Sequence, residues 1–182
     1  VDALAAAVVD LVDRHESLRT VYPASDGIGY QHILSAIEAP VDLTLRDDDF
    51  DSLTDAAKDF FGRAFDITAE VPIRAALLRF GPRDHVLFVV VHHIAADGFS
   101  MGPLARDVMQ AYVARTRDSA PSWAPLPVQY ADYTLWQRGV LGSVDDPNSL
   151  AAQQDRYWRA QLEGFDGVAR LPVDRPRPAT AS

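Results

Sequence analysis

Apolar positions recur along the chain with two periods, and their alternation predicts its elements. Val1, Leu4, Val8, Leu11 and Val12 fall at helical spacing with Asp2, Asp10 and Asp13 off that face, so an amphipathic helix is expected to end near Glu16. LRTVYPA is short and strand-like, and SDGIG after it is rich in turn residues. YQHILS and DLTLRD read as two more strands, the second alternating through Leu43 and Leu45, and His32 is an ordinary strand residue. DSLTDAAKDFFGRAF puts Leu53, Ala57, Phe60, Phe61 and Ala64 on one face, with Ser52 and Asp55 placed as a capping box. IRAALLRF and HVLFVVVHH flank GPRD, the pattern of a hairpin.

The run Val86–Val91 is apolar without a break, which suits a central strand covered on both faces. A helix is expected from the residues after Gly98 to about Arg117, with Leu104, Val108, Met109, Tyr112 and Val113 as its stripe and Met109 in the core. Pro103 fits its first turn. DSAPSWAPLP and GSVDDPNS read as loops on either side of the helical YADYTLWQR, and Gln153–Leu162 reads as a further helix. LPVDRPRPATAS holds three prolines and no periodicity, so 1–170 is expected as one folded lobe and 171–182 as a linker. Helices mixed with antiparallel strands indicate an α+β sandwich.

Composition narrows the function classes. At 182 residues with 48% hydrophobic content the chain can fill one substantial core. No apolar run approaches the roughly 20 residues of a membrane span. The absence of cysteine removes disulfides, thiolate catalysis and Cys-type zinc sites, and a cytoplasmic setting is expected. A formal charge of −9 with no basic stripe sets nucleic-acid binding aside.

The chemistry gathers at the end of the apolar run. His92 and His93 close it, and Asp97 and Gly98 follow at a turn. Successive strand residues face opposite sides, so only one histidine can look into a given cavity. Taken alone, a histidine at a strand end is usually a hydrogen-bonded core or surface residue, and His92 is read that way. An Asp-Gly pair is most often a turn. His92, His93 and Asp97 are also potential metal ligands, but adjacent strand histidines diverge and zinc needs three or four convergent ligands, so no metal is expected.

The combination HHxxxDG followed by Phe99, Ser100 and Met101 resembles the signature of condensation domains of non-ribosomal peptide synthetases, members of the chloramphenicol-acetyltransferase-like superfamily. RHESLRTVY (14–22) is similar to the family's RHExLRTxF motif, YADYTLWQR (130–138) to its YxDxxxW motif, and YWRAQLEG with LPVDRPRP to the segment closing the first lobe. The family's SxAQxRLW-type motif and C-terminal lobe are not matched, so the resemblance is to the first lobe of a two-lobe domain. It implies a two-layer sandwich with a mixed, mostly antiparallel sheet. It also implies amide formation between a donor thioester and an acceptor amine. Both would be presented on phosphopantetheine arms of peptidyl carrier proteins, with no cofactor of the domain's own and no membrane or nucleic-acid partner.

By the same resemblance His93 is the catalytic histidine, as a base toward the amine or as an orienting or stabilising group. Asp97 is expected to be structural, paired with Arg14. Gly98 would admit the substrate arm closely and offer its amide at a helix N-terminus as an oxyanion donor. Tyr130, Asp132 and Trp136 are assigned to packing near the site, Trp136 as aromatic core, and Arg19 is a second supporting arginine. Arg138, Arg156 and Arg159 are candidates for carrier docking, with scattered solvated arginines the plainer reading. Heterocyclisation members replace the histidines, which this chain keeps. An epimerisation member or a non-catalytic carrier-docking module remains the alternative. The lobe alone is expected to be inactive and to expose an apolar face.

Overall fold

A computed structural model of the chain describes residues 1–41, 43–47, 52–165, 167 and 174–175. Two compact units divide it, Val1–Thr134 and Leu135–Ser182. The expected linker at 171–182 lies outside the described residues except for 174 and 175.

In the first unit, helix α1 (Asp2–Arg14) is followed by a 3-10 turn over Glu16–Arg19. Strands β1 (Thr20–Val21) and β4 (His32–Ile33) pair antiparallel, and β2 (Ala24–Ser25) and β3 (Ile28–Gly29) form a small hairpin between them. Asp26 and Gly27 carry φ of 53° and 79° at its tip, both left-handed, as a type I′ turn requires.

The main sheet has the order β5 (Leu43–Asp47), β6 (Ile73–Arg79), β7 (His85–Val91), parallel across β5–β6 and antiparallel across β6–β7. The hairpin at GPRD forms as expected and closes with the Phe80 N–H donating to the Asp84 carbonyl. One sheet face packs Ile73 and Ala75 against Val8, Leu11 and Val12 of α1 and Leu104 of α3 (Met101–Arg115). The other packs Ala76, Leu78 and Phe88 under Leu53, Ala56, Ala57 and Phe60 of α2 (Leu53–Gly62). The fold is α+β; its main sheet is mixed, one parallel and one antiparallel pairing, and the two small two-stranded sheets are antiparallel.

Three expectations change. Among the described residues β6, not β7, is the central strand; β7 is paired on one side only, and its Val89 is 38% exposed. An unbroken apolar run reports covered faces, not paired edges, so it could not say which strand lies in the middle. On α3 the buried face is Leu104, Asp107 and Ala111 with Val108 beside it, whereas Met109, Tyr112 and Val113 are exposed. A buried carboxylate interrupts that face and displaced the apparent stripe. The capping box at Ser52 does not form: Ser52 has helical backbone angles and no side-chain cap hydrogen bond, and Asp55 instead pairs with Lys58 at 3.0 Å.

Helix α4 (Tyr130–Leu141) spans the division between the units. In the second unit α5 (Leu150–Gln161) begins three residues before the expected Gln153, because the Ser149 hydroxyl caps it by accepting from the Ala152 N–H at 3.0 Å. Among the described residues no helix is long and apolar enough to cross a membrane.

Candidate active site

Strand β7 ends at Val91, and the chain turns through residues 92–100 into α3. The His92 N–H donates to the Pro72 carbonyl at 2.8 Å, which carries the β6–β7 pairing one residue past the strand. The Ala95 N–H then closes on the His92 carbonyl at 2.9 Å, and Ala95 and Ala96 pack against the α1/α3 core. The two histidines lie just past the strand in different surroundings. The His92 ring stands edge-on to Phe65 at 5.8 Å, and Phe65 in turn lies under the Arg74 guanidinium at 3.8 Å. His92 Nδ1 accepts from the Ile94 N–H at 3.0 Å, so that nitrogen carries no proton and the ring is held. His93 is exposed and makes no side-chain hydrogen bond or ion pair with a described residue.

Asp97 braces the turn rather than an arginine. Its Oδ1 accepts from the Ser100 hydroxyl at 2.7 Å and the Ser100 N–H at 3.0 Å. Those bonds, the hydroxyl first, hold its carboxyl below the usual range, so it is ionised at neutral pH. Gly98 lies in the turn ahead of Ser100, the N-cap of α3, so its amide is not one of the first helical N–H groups as expected. A Cβ at Gly98 would meet no heavy atom within 4 Å. Phe99 beside it is 94% exposed, and Ile94 and Met101 are also exposed. The turn therefore presents an open imidazole, a carboxylate-braced loop and apolar surface to the same solvent.

Arg14 does not reach Asp97. Its Nε donates to Oδ2 of Asp107 at 2.8 Å, an Nη donates to the Ala124 carbonyl at 2.8 Å, and its guanidinium lies 4.7 Å over the Trp123 ring. Asp107 is 1% exposed and also bonds His15 Nε2 at 3.0 Å and Arg106 Nε at 2.9 Å. Burial alone would raise the Asp107 carboxyl; hydrogen bonds from Arg106, Arg14 and His15 outweigh it and hold the group low. Burial pushes His15 down from its ordinary value, against the pull of Asp107. Asp107 was missed from sequence because it sits inside an apolar stripe. The legible signal was a lone carboxylate at i+3 from Leu104, with an Arg-His pair at the end of another helix.

The remaining supporting residues fall elsewhere. Arg19 bonds the Leu34 carbonyl and lies 3.5 Å from Glu16, while its Nε is buried without a partner among the described residues. Asp132 accepts from the Gln129 N–H at 2.8 Å, half of a capping box at the start of α4. The Gln129 amide then clips the end of α1, donating to the Arg14 carbonyl at 2.9 Å and accepting from the Glu16 N–H at 3.2 Å. Tyr130 is half exposed and stacks tilted on Tyr133; after burial itself, it is the second influence raising the Tyr22 phenol. Trp136 is 62% exposed and is not aromatic core, since no residue of α4 is buried. In the second unit Arg159 pairs with Asp155 and Arg156 bonds the Pro147 carbonyl.

A groove of about 670 Å³ opens on the α2 side of the sheet, but none of the expected site residues lines it. Its arginines are already engaged: Arg46 with Asp59, Arg63 and Arg74 with Glu70. Among the described residues no three His, Asp or Glu side chains converge as a metal site would need.

Known proteins resemble this chain in sequence and in fold. A probable non-canonical nonribosomal peptide synthetase of Salinispora arenicola is 52% identical over 182 residues, and a dimodular nonribosomal peptide synthase of Bacillus subtilis is 48% identical over 98% of this chain. The chain spans only 2% and 8% of those relatives' lengths. Among solved structures, the X-domain from teicoplanin biosynthesis superposes with a TM-score of 0.85 at 40% identity, over 98% of this chain and 39% of that one. The epimerization domain from the third module of tyrocidine synthetase B shares the fold, with a TM-score of 0.74 at 21% identity, over 97% of this chain and 40% of that one. The family model described as Condensation domain matches residues 1–182, and the chain belongs to that family.

Proposed function

We propose that this chain forms part of a condensation site, where an amine on one carrier-bound phosphopantetheine arm attacks the thioester carbonyl on another. The C–N bond forms, the C–S bond breaks, and the thiolate leaves with the proton lost by the nitrogen. The observation that carries the reading is the division of labour in the turn: His92 is held by Phe65 and Ile94, whereas His93 is open to solvent in the same turn as the exposed Gly98. His93 Nε2 or Nδ1 can accept the amine proton or orient the amine as charge develops. An α-amino group titrates at about 7.7 to 8.0, so a share is neutral at pH 7 without help. Alignment of the tethered reactants, with effective molarities up to about 10⁵ to 10⁸ M, outweighs the roughly 10² to 10⁴-fold of a general base.

Because alignment dominates, residues 1–182 are read as one lobe of the site and as incompetent without the rest of its surface. The open apolar side chains Ile94, Phe99 and Met101 around the turn support that reading. The test is His93→Ala in a complete synthetase, with condensed product followed by mass spectrometry from loaded donor and acceptor carrier proteins. Product formation is expected to fall at least about 10²-fold with the fold intact, and His92→Ala is expected to act through packing. A second reading, a docking module, is favoured by the 42% identity to the X-domain solved in complex with OxyB. Near-normal turnover by folded His93→Ala would select it.

A further inference from the structure

The buried cluster around Asp107, midway along α3, belongs to no element of the proposed chemistry. Asp107 gathers Arg14 and His15 from the end of α1 and Arg106 from its own helix, at 2.8 to 3.0 Å. Arg14 extends the cluster to Trp123 and Ala124, and Gln129 clips the backbone on either side of His15. The end of α1 and α3 therefore meet on one carboxylate, and Arg14 and the backbone around His15 tie the loop after α3 and the residue just before α4 to them. The site turn runs directly into α3. The Ser100 carbonyl accepts from Leu104, and Leu104, one turn before Asp107, packs in the same core as Ala95 and Ala96 of the turn. A shift of α3 along α1 would move the turn with it.

We propose that Asp107 is a positioning residue for the site turn, holding it through α3, and that His15 makes this hold acid-sensitive. The charged groups facing His15 are Asp107 and Arg106 from α3 and Arg14 from α1; the Glu16–Arg19 pair follows in the next turn of the chain, and Trp123 and Gln129 approach the cluster from the loop. With His15 neutral, one carboxylate faces two guanidiniums. Protonation adds a third cation to that carboxylate, and burial opposes it. The acid loosening follows from this charge count and from the geometry that shares Oδ2 between Arg14 and His15.

The proposal rests on the condensation reading only for its consequence in catalysis, so the decisive readout is independent of activity. Amide hydrogen exchange at Ser100 and Leu104, whose N–H groups are hydrogen-bonded in and after the turn, is measured in the 182-residue chain. Asp107→Asn is expected to lower their protection about tenfold more than Leu78→Val, a control in the α2-side core. Equal effects of the two variants would overturn the positioning role. If Asp107→Asn does not fold, His15→Gln, which keeps a donor and cannot titrate, reads the same amides. Protection corrected for intrinsic exchange should fall between about pH 7 and 5 in the native chain and not in His15→Gln; an unchanged fall in the variant would overturn the acid sensitivity. In a complete synthetase the same Asp107→Asn should lower kcat with little change in KM. Loosened amides with unaltered condensation would leave the positioning intact and refute the condensation reading.

Discussion

Arg14 and Asp107 should behave as a coupled pair, and Arg14 and Asp97 should not. Asp107→Ala removes the acceptor shared by two guanidiniums and the His15 imidazole and leaves Arg14, whose side chain is 10% exposed, without its carboxylate. Breaking a buried pair from one side costs roughly 3–5 kcal/mol, and this pair lies at that end of the range because Asp107 is 1% exposed. Arg14→Ala removes one of three donors and the contact with Trp123, and Asp107 keeps His15 and Arg106, so its cost should be the smaller of the two. The double variant should then cost about 1–3 kcal/mol less than the sum, the coupling of two groups in one network. Urea unfolding of the four chains, at matched m-values, gives the cycle. A parallel cycle with Asp97→Ala should be additive, since Asp97 spends its carboxylate on Ser100. Additivity in the first cycle, or coupling in the second, would refute the placement of Arg14 and restore the pairing expected from the motifs.

Stability should fall in two acid steps. The folded His15 value is depressed, so its contribution is complete above the unfolded value of about 6.5 and is lost as pH falls through the folded one; His15→Gln should remove that step. Asp107 is depressed as a carboxylate, so its contribution is complete above about 3.9 and lost below; parallel curves for native chain and His15→Gln between pH 7 and 5 would contradict the first step. Gly98→Ala should leave the melting temperature within about 2 °C of the native value, because its Cβ meets nothing. The same change in a complete synthetase should raise the KM for carrier-bound substrate, and an unaltered KM would remove Gly98 from the substrate path.

Much of the turn's local geometry was legible along the chain because it depends on near neighbours. The strand–turn–helix at 85–115 follows from an apolar run, an Asp-Gly turn and a helical stripe. The hairpin at GPRD and the tip at Asp26–Gly27 are likewise set by residues within a few positions of each other. Tertiary structure decided what depends on distant partners. Asp107 lies 93 residues from Arg14, and only the packing of α1 on α3 turns a carboxylate in an apolar stripe into the acceptor of two arginines and a histidine. Periodicity scores a buried charge as a fault in the pattern, so Met109 was placed inside and Asp107 left unread. Asp97 had its partner three residues away in Ser100, and a motif pairing it with Arg14 could not see that nearer bond. Which strand is central was equally beyond reach, since residue type reports the faces of a strand while edges are settled by backbone pairing across the sheet.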